Sequence, residues 1–130
     1  MDEFRFTATV PILRIFSIEK AKEFYCDFLG FSIDWEFQFG DNTPLYIQVS
    51  LGELRLHLSE HHGDASPGAG IHVEMTGIDA FHRAITAKQY KYLNPGINDA
   101  PWGARVLSVI DPFGNRLSFN EYNKKIGTAE

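Results

Sequence analysis

Two segments of the chain, 53–59 and 71–75, combine polar side chains with the period-two alternation of a β-strand that has one buried face. Leucine occupies every second position of the first segment, so its remaining side chains share the opposite face. On a curved sheet, such a face could line a ligand site, although it could equally be a solvated surface. The polar residues of the two segments are Glu53, Arg55, His57, Ser59, His72 and Glu74.

Histidine is a common metal ligand, and four of the five histidines lie between positions 57 and 72. His57 and His72 are candidates for metal ligands, because both fall on the polar face of predicted strands. They are weak candidates, since the spacing of the histidines gives a metal site little support. His61 and His62 are adjacent in a polar segment, where loop residues are the simpler interpretation. The chain also lacks paired cysteines and a His-Glu-x-x-His motif that would complete a tetrahedral site.

Aromatic residues make up 14% of the chain and offer a second kind of chemistry, the stacking of planar ligands. Trp35, Phe37 and Phe39 occupy alternate positions and therefore share one face of a predicted strand. Trp102 follows a proline in a predicted loop and could supply another ring. Core packing and a ligand-stacking surface both explain this pattern. The side chains expected on the opposite face of the strand are Asp34, Glu36 and Gln38.

Composition narrows the classes of function. The net charge is −5 without a cluster of basic residues, which disfavours nucleic acid and anionic membranes and weakly favours a cationic ligand. The single Cys26 cannot form an internal disulfide, and it lies on a predicted helix without the surroundings of a reactive thiol. We expect a cytoplasmic protein, since neither a signal peptide nor an apolar run of about 20 residues is present.

The elements that must position these residues occur in a repeated order. Ser17 and Gly30 are typical N-cap and C-terminal residues around one helix. The first half predicts a strand over 6–15, a helix over 18–29, and strands over 31–39, 44–50 and 53–59. A polar loop over 59–70 precedes a strand over 71–75, a helix over 78–87, a strand near 90–95 and a hairpin over 101–121.

The order βαβββ therefore occurs twice, which predicts an α+β fold of two similar modules. We expect one domain over 1–130, with modules at about 6–59 and 70–122 and a frayed tail from 123 onward. The final hairpin turns at Asp111-Pro112-Phe113-Gly114-Asn115, where proline presets the turn and Gly114 and Asn115 tolerate positive φ.

Several short motifs along the chain resemble the vicinal oxygen chelate superfamily, which includes glyoxalase I, extradiol dioxygenases and bleomycin resistance proteins. Within it, the chain is most similar to the bleomycin resistance proteins. The motifs that carry the resemblance are Val10-Pro11-Ile12-Leu13, Phe24-Tyr25, Leu29-Gly30-Phe31, Pro101-Trp102-Gly103 and Asp111-Pro112-Phe113-Gly114-Asn115.

The resemblance implies two βαβββ modules with open, cup-shaped sheets and a homodimer that completes the ligand sites. In the metal enzymes of the superfamily, the ligands come from the first and fourth strands of each module. The matching positions here are Val10, His57, Gly70 and Ser118, of which only His57 is a good ligand. His72 lies two residues after Gly70, so a displaced site stays possible.

These expectations favour a binding protein of the bleomycin resistance type that sequesters a cationic, ring-containing antibiotic without a metal or other cofactor and without turnover. The alternative is a divalent-metal-dependent lyase or dioxygenase that uses His57 and His72 with a loop histidine. A third possibility is a protein-interaction module without a ligand cleft. The candidate ligand-binding residues are Trp35, Phe37, Phe39, Tyr46, His57, Ser59, Trp102 and Ser118.

Overall fold

The structure is a computed structural model and describes residues 3–123. Two open four-stranded sheets with few helices form an α+β fold, as predicted. The elements are β1 (Ile12–Arg14), α1 (Ile18–Lys22), a π-helical turn (Glu23–Phe28), β2 (Ser32–Gln38), β3 (Leu45–Leu51), β4 (Leu54–Ser59), β5 (Gly70–Glu74), α2 (Ile78–Thr86), β6 (Asn98–Ala100), β7 (Ala104–Ile110) and β8 (Arg116–Tyr122).

The two sheets have the same topology. The first has the strand order β1-β4-β3-β2, and the second has the order β5-β8-β7-β6. In each sheet the first strand is parallel to the fourth, and the other neighbours are antiparallel. The sequence repeat of βαβββ thus corresponds to two sheets built in the same way.

Two of the predicted strands were wrong in extent or position. The strand expected over 6–15 is only Ile12–Arg14, because Pro11 has no N–H with which to continue the ladder. The strand expected near 90–95 is a loop, since Tyr90 packs its ring on Phe28 at a centroid distance of 4.5 Å and does not join the sheet. The strand that follows α2 is instead β6, at Asn98–Ala100. Its three residues are too few to show an alternation of polar and apolar side chains.

The helix predicted over 18–29 is confirmed at its start and differs in its second half. Ser17 caps it, because its Oγ accepts the backbone N–H of Lys20 at 3.2 Å. From Glu23 the helix widens into a π-helical turn, and the N–H of Leu29 donates to the carbonyl of Phe24. No helix between residues 3 and 123 is long and apolar enough to cross a membrane.

One hydrophobic core receives side chains from both modules. The leucine face predicted for β4 is confirmed, since Leu56 and Leu58 are fully buried. Cys26 packs partly against this core, and burial raises the pKa of its thiol. Fully buried residues from the second module include Ile78, Leu107 and Leu117.

A buried hydrogen-bond network at the final hairpin joins the two modules. Asp111 accepts hydrogen bonds from the hydroxyl of Tyr25 at 2.6 Å, from the backbone N–H groups of Phe113 and Asn115, and from Nδ2 of Asn115. Nδ2 of Asn115 also donates to the carbonyl of Arg14 on β1. Burial and the Asp111 carboxylate raise the pKa of Tyr25, so its hydroxyl keeps its proton.

The predicted turn residues therefore act differently from one another. Gly114 does adopt a positive φ of 92°, which a residue with a Cβ rarely tolerates. Asn115 does not share this conformation; it is fully buried, and its side chain connects the hairpin to β1.

Candidate functional site

Strand pairing arranges one face of the first sheet into two rows of side chains. Directly paired residues of neighbouring strands point to the same side of a sheet, so the register gives the rows without further assumption. The first row is Ile12, His57, Gln48 and Trp35, and the second row is Arg14, Ser59, Tyr46 and Phe37. We call this surface the N-terminal face.

Aromatic rings form a continuous platform on the N-terminal face. Trp35 and Tyr46 lie parallel within 7°, with their ring centroids 6.0 Å apart. The ring of His57 lies edge-on to both, at 5.2 Å from Trp35 and 5.1 Å from Tyr46. Trp35, Phe37 and Phe39 are 42%, 50% and 88% exposed, so the interpretation of these rings as core residues is wrong.

The far end of the platform borders a shallow cavity of about 210 Å³. Phe37 and Phe39 pack edge to face there, with centroids 4.9 Å apart. The cavity combines an apolar wall with polar groups from the loop after β4, as small-molecule sites commonly do. Its lining residues are Phe37, Phe39, Pro44, Leu45, Tyr46, His61 and Asp64.

A β-bulge moves Asp34 onto the N-terminal face, which corrects the expectation that it lies opposite Trp35. The register between β2 and β3 shifts between Ile33 and Trp35, so the strict alternation ends at this point. Asp34 consequently accepts hydrogen bonds from Nε2 of Gln48 and from Oγ of Ser50, both at 3.0 Å.

A chain of hydrogen bonds crosses the N-terminal face from this carboxylate to the rings. Oε1 of Gln48 lies 2.9 Å from Nε2 of His57, and Nδ1 of His57 lies 2.7 Å from the hydroxyl of Tyr46. Desolvation, followed by the nearby charge of Arg55, lowers the pKa of His57. Desolvation and Asp64 raise the pKa of Tyr46, so both groups are held neutral.

Ser59 lies on the predicted face but is covered by the loop that follows it. It is fully buried, donates to Oδ2 of Asp64 at 2.6 Å and accepts the backbone N–H of His61. Its hydroxyl therefore stabilises the loop and is closed to a ligand in this arrangement. His61 and His62 lie in that loop as expected, with their rings stacked on each other.

The second sheet carries a separate polar cluster around Asn120. Trp102 is 52% exposed, and its Nε1–H donates to Oδ1 of Asn120 at 3.3 Å. Nδ2 of Asn120 donates to Oγ of Ser118 at 3.1 Å and contacts Nδ1 of His72 at 3.3 Å. We call this group, with Tyr122 beside His72, the C-terminal face.

Seven of the eight predicted ligand-binding residues divide into two groups within one chain, and the eighth, Ser59, is buried. Trp35, Tyr46 and His57 meet on the N-terminal face, and Phe37 and Phe39 extend it. Trp102 and Ser118 meet through Asn120 on the C-terminal face. Within residues 3–123, no side-chain hydrogen bond or ring contact connects the two faces.

The donor set does not fit a divalent metal within one chain. The register places Ile12 beside His57 and His72 beside Ser118. Val10 and Gly70, which the resemblance matches to ligand positions, have no donor atom in their side chains. Ile12 offers no donor, and both ring nitrogens of His57 and of His72 already contact protein groups. In the part of the chain that the structure describes, no three His, Cys, Asp or Glu side chains could hold an ion together.

Three polar residues that hold the hydrogen bonds within one face or the other were missed as site residues in the sequence. Gln48 could have been predicted from the sequence, because period-two alternation from Tyr46 places it on the same face. Asn120 could be found by the same alternation from Ser118. Asp34 could not, since a β-bulge leaves no clear trace in the pattern of polar and apolar residues.

Known proteins with related sequences were found over most of the chain. A family model described as glyoxalase superfamily protein matches residues 1–126. A bleomycin resistance protein of Geobacillus stearothermophilus is 28% identical over an alignment of 129 residues. The match covers 85% of this chain and 93% of the relative. A bleomycin resistance protein of Staphylococcus aureus has the same identity and coverage.

Solved structures have the same fold. The bleomycin-binding protein of Streptomyces verticillus, complexed with copper(II)-bleomycin, is 29% identical with a TM-score of 0.66, over 93% of this chain and 99% of that one. A bleomycin resistance determinant encoded on transposon Tn5 is 18% identical with a TM-score of 0.71, over 92% of this chain and 100% of that one. The resemblance inferred from the sequence motifs is confirmed, and the chain belongs to the glyoxalase superfamily, with bleomycin resistance proteins among its relatives.

Proposed function

We propose that the protein binds a bleomycin-type antibiotic and protects by sequestration, without a metal and without turnover. The observation that carries this proposal is the ring platform, in which Trp35 and Phe37 are exposed and Tyr46 is half-buried. Planar heteroaromatic rings of the ligand would stack on these side chains, and its cationic tail would be favoured by a chain with a net charge of −5. The relatives whose names state bleomycin resistance or binding support this choice of ligand.

Binding of metal-free bleomycin in the presence of EDTA tests this proposal directly. We expect isothermal titration to show saturable binding at micromolar concentration or tighter, together with a change in Trp fluorescence. The EDTA-treated protein should bind as well as the untreated protein, and the antibiotic should be recovered chemically unchanged. Absence of heat at tens of micromolar bleomycin would show that this antibiotic is not the ligand. Binding that is lost in EDTA would show that the site requires a metal.

We further propose that the complete site forms between two subunits of a homodimer. The N-terminal and C-terminal faces each offer one large exposed indole, Trp35 and Trp102. A second chain could bring the indole of one face and that of the other to the same ligand. Phe4 and Phe6, 63% and 89% exposed, leave further apolar surface for a partner. An isologous dimer would pair the N-terminal face of one subunit with the C-terminal face of the other, twice.

A subunit-mixing experiment tests the shared site. Trp35→Ala and Trp102→Ala should each bind poorly, and each should form a species of twice the 14.7 kDa chain mass in light scattering. After both variants are unfolded and refolded together, about a quarter of the sites should be intact, because half of the dimers contain one unaltered pair of faces. A 14.7 kDa species, or no recovery of binding after mixing, would show that the site is not shared.

A further inference from the structure

The hydrogen-bond chain on the N-terminal face has a fixed direction, which starts at Asp34. A carboxylate oxygen only accepts hydrogen bonds, and Oδ2 of Asp34 lies 3.0 Å from the amide of Gln48. The NH₂ group of that amide must therefore face Asp34. Its carbonyl oxygen, Oε1, then faces His57 at 2.9 Å.

The orientation of Gln48 in turn sets the tautomer of His57. Because Oε1 can only accept, Nε2 of His57 must carry the ring proton. The lowered pKa of His57 keeps the imidazole neutral, so Nδ1 has a lone pair and no proton. Nδ1 lies 2.7 Å from the hydroxyl of Tyr46, which must be the donor of that bond.

The hydroxyl of Tyr46 thus donates its single proton to Nδ1 of His57, inside the protein. Its phenolic oxygen retains only the capacity to accept, and it is positioned beside the ring of Trp35, which lies parallel to its own. A second carboxylate, that of Asp64, is near enough to raise the pKa of Tyr46. The charge at this end of the platform therefore also disfavours an anionic or purely accepting group.

We propose that Tyr46 is a specificity-determining acceptor, which makes the ring platform select planar ligands that carry a hydrogen-bond donor, above all an alkylammonium group, next to the ring. The inference rests on the proposed function, since it concerns the same face, and it adds the chemical group that is recognised there. Asp34, Gln48 and His57 are positioning residues, because they act on the ligand only through the hydroxyl of Tyr46.

Three naphthalene probes of nearly equal shape separate donor recognition from stacking. 1-Naphthylmethylammonium carries a charged donor, 1-naphthylmethanol a neutral donor, and 1-(methoxymethyl)naphthalene no donor. Affinities measured from the NMR shift of the Trp35 indole N–H should decrease in that order. In Tyr46→Phe, which keeps the ring and the net charge, the ammonium probe should bind about tenfold more weakly, and the methoxymethyl probe should change less than twofold.

A matched control and a ligand-free measurement complete the test. Tyr92→Phe removes the hydroxyl of an exposed tyrosine away from the N-terminal face and should leave all three affinities unchanged. The ¹⁵N shifts of His57 in the free protein should report the Nε2–H tautomer, and Gln48→Leu should abolish that preference.

The possible failures are distinguishable. Equal affinities for the three probes, or an Nδ1–H tautomer of His57, would overturn the acceptor role of Tyr46 while binding of bleomycin still supports the proposed function. Failure of every probe and of bleomycin to bind would overturn both.

Discussion

Asp111→Ala is expected to lower the free energy of unfolding by about 4 kcal/mol. Asp111 is only 4% exposed and accepts four hydrogen bonds, so its removal leaves the buried hydroxyl of Tyr25 and the amide groups of Asn115 without their partner. The two modules lose a shared anchor at the same time. Chemical denaturation monitored by circular dichroism measures the effect.

Two further variants show whether the effect comes from this network. Tyr25→Phe deletes one of the four bonds and should cost about 1 to 2 kcal/mol. Asp99→Ala removes an exposed carboxylate from β6 and should change stability by less than about 0.5 kcal/mol. A loss below about 1 kcal/mol for Asp111→Ala would mean that the network does not hold the modules together.

Trp35→Ala is expected to weaken the binding of bleomycin by about 30-fold or more, and to change stability by only about 1 kcal/mol. Trp35 is 42% exposed on an edge strand and lies outside the hydrophobic core, so its removal leaves no core cavity. The ligand would lose the largest ring of the platform and the parallel partner of Tyr46. Isothermal titration and chemical denaturation of the same preparation separate the two effects.

Tyr92→Ala is the control for the location of the site. Tyr92 is 58% exposed and lines a different cleft of about 350 Å³, beside Lys20 and Leu93 on the helical side of the molecule. If the ligand bound in that cleft, Tyr92→Ala would weaken binding and Trp35→Ala would not. We expect the reverse result.

Much of the fold could be read from local patterns. Alternating leucines identified the buried face of β4, and Ser17 identified the start of α1. Both signals depend only on residues that are close in sequence, so tertiary contacts had little opportunity to override them. The segment near 90–95 was misread because its apolar side chains are the same whether they pack on a helix or pair in a sheet.

For the candidate site, the sequence showed which residues share a strand face but gave less of their geometry. Alternation placed Trp35 and Phe37 on one face of a strand, but exposure and core packing could be separated only when the neighbouring elements were in place. Ser59 illustrates the opposite error, because its pattern is that of a face residue while the loop at Asp64 buries it.

Local sequence was therefore sufficient for the repeated βαβββ order and the ring-bearing strand, since helix and strand periods and turn residues act over a few positions. The family followed from the resemblance of short motifs to known proteins. The direction of the hydrogen bond that Tyr46 makes depends on long-range strand register and on a β-bulge. The division of the candidate residues between two faces depends on the same register. A shift of one residue in register turns every side chain of a strand to the other side, so these features arise only when the sheet has formed.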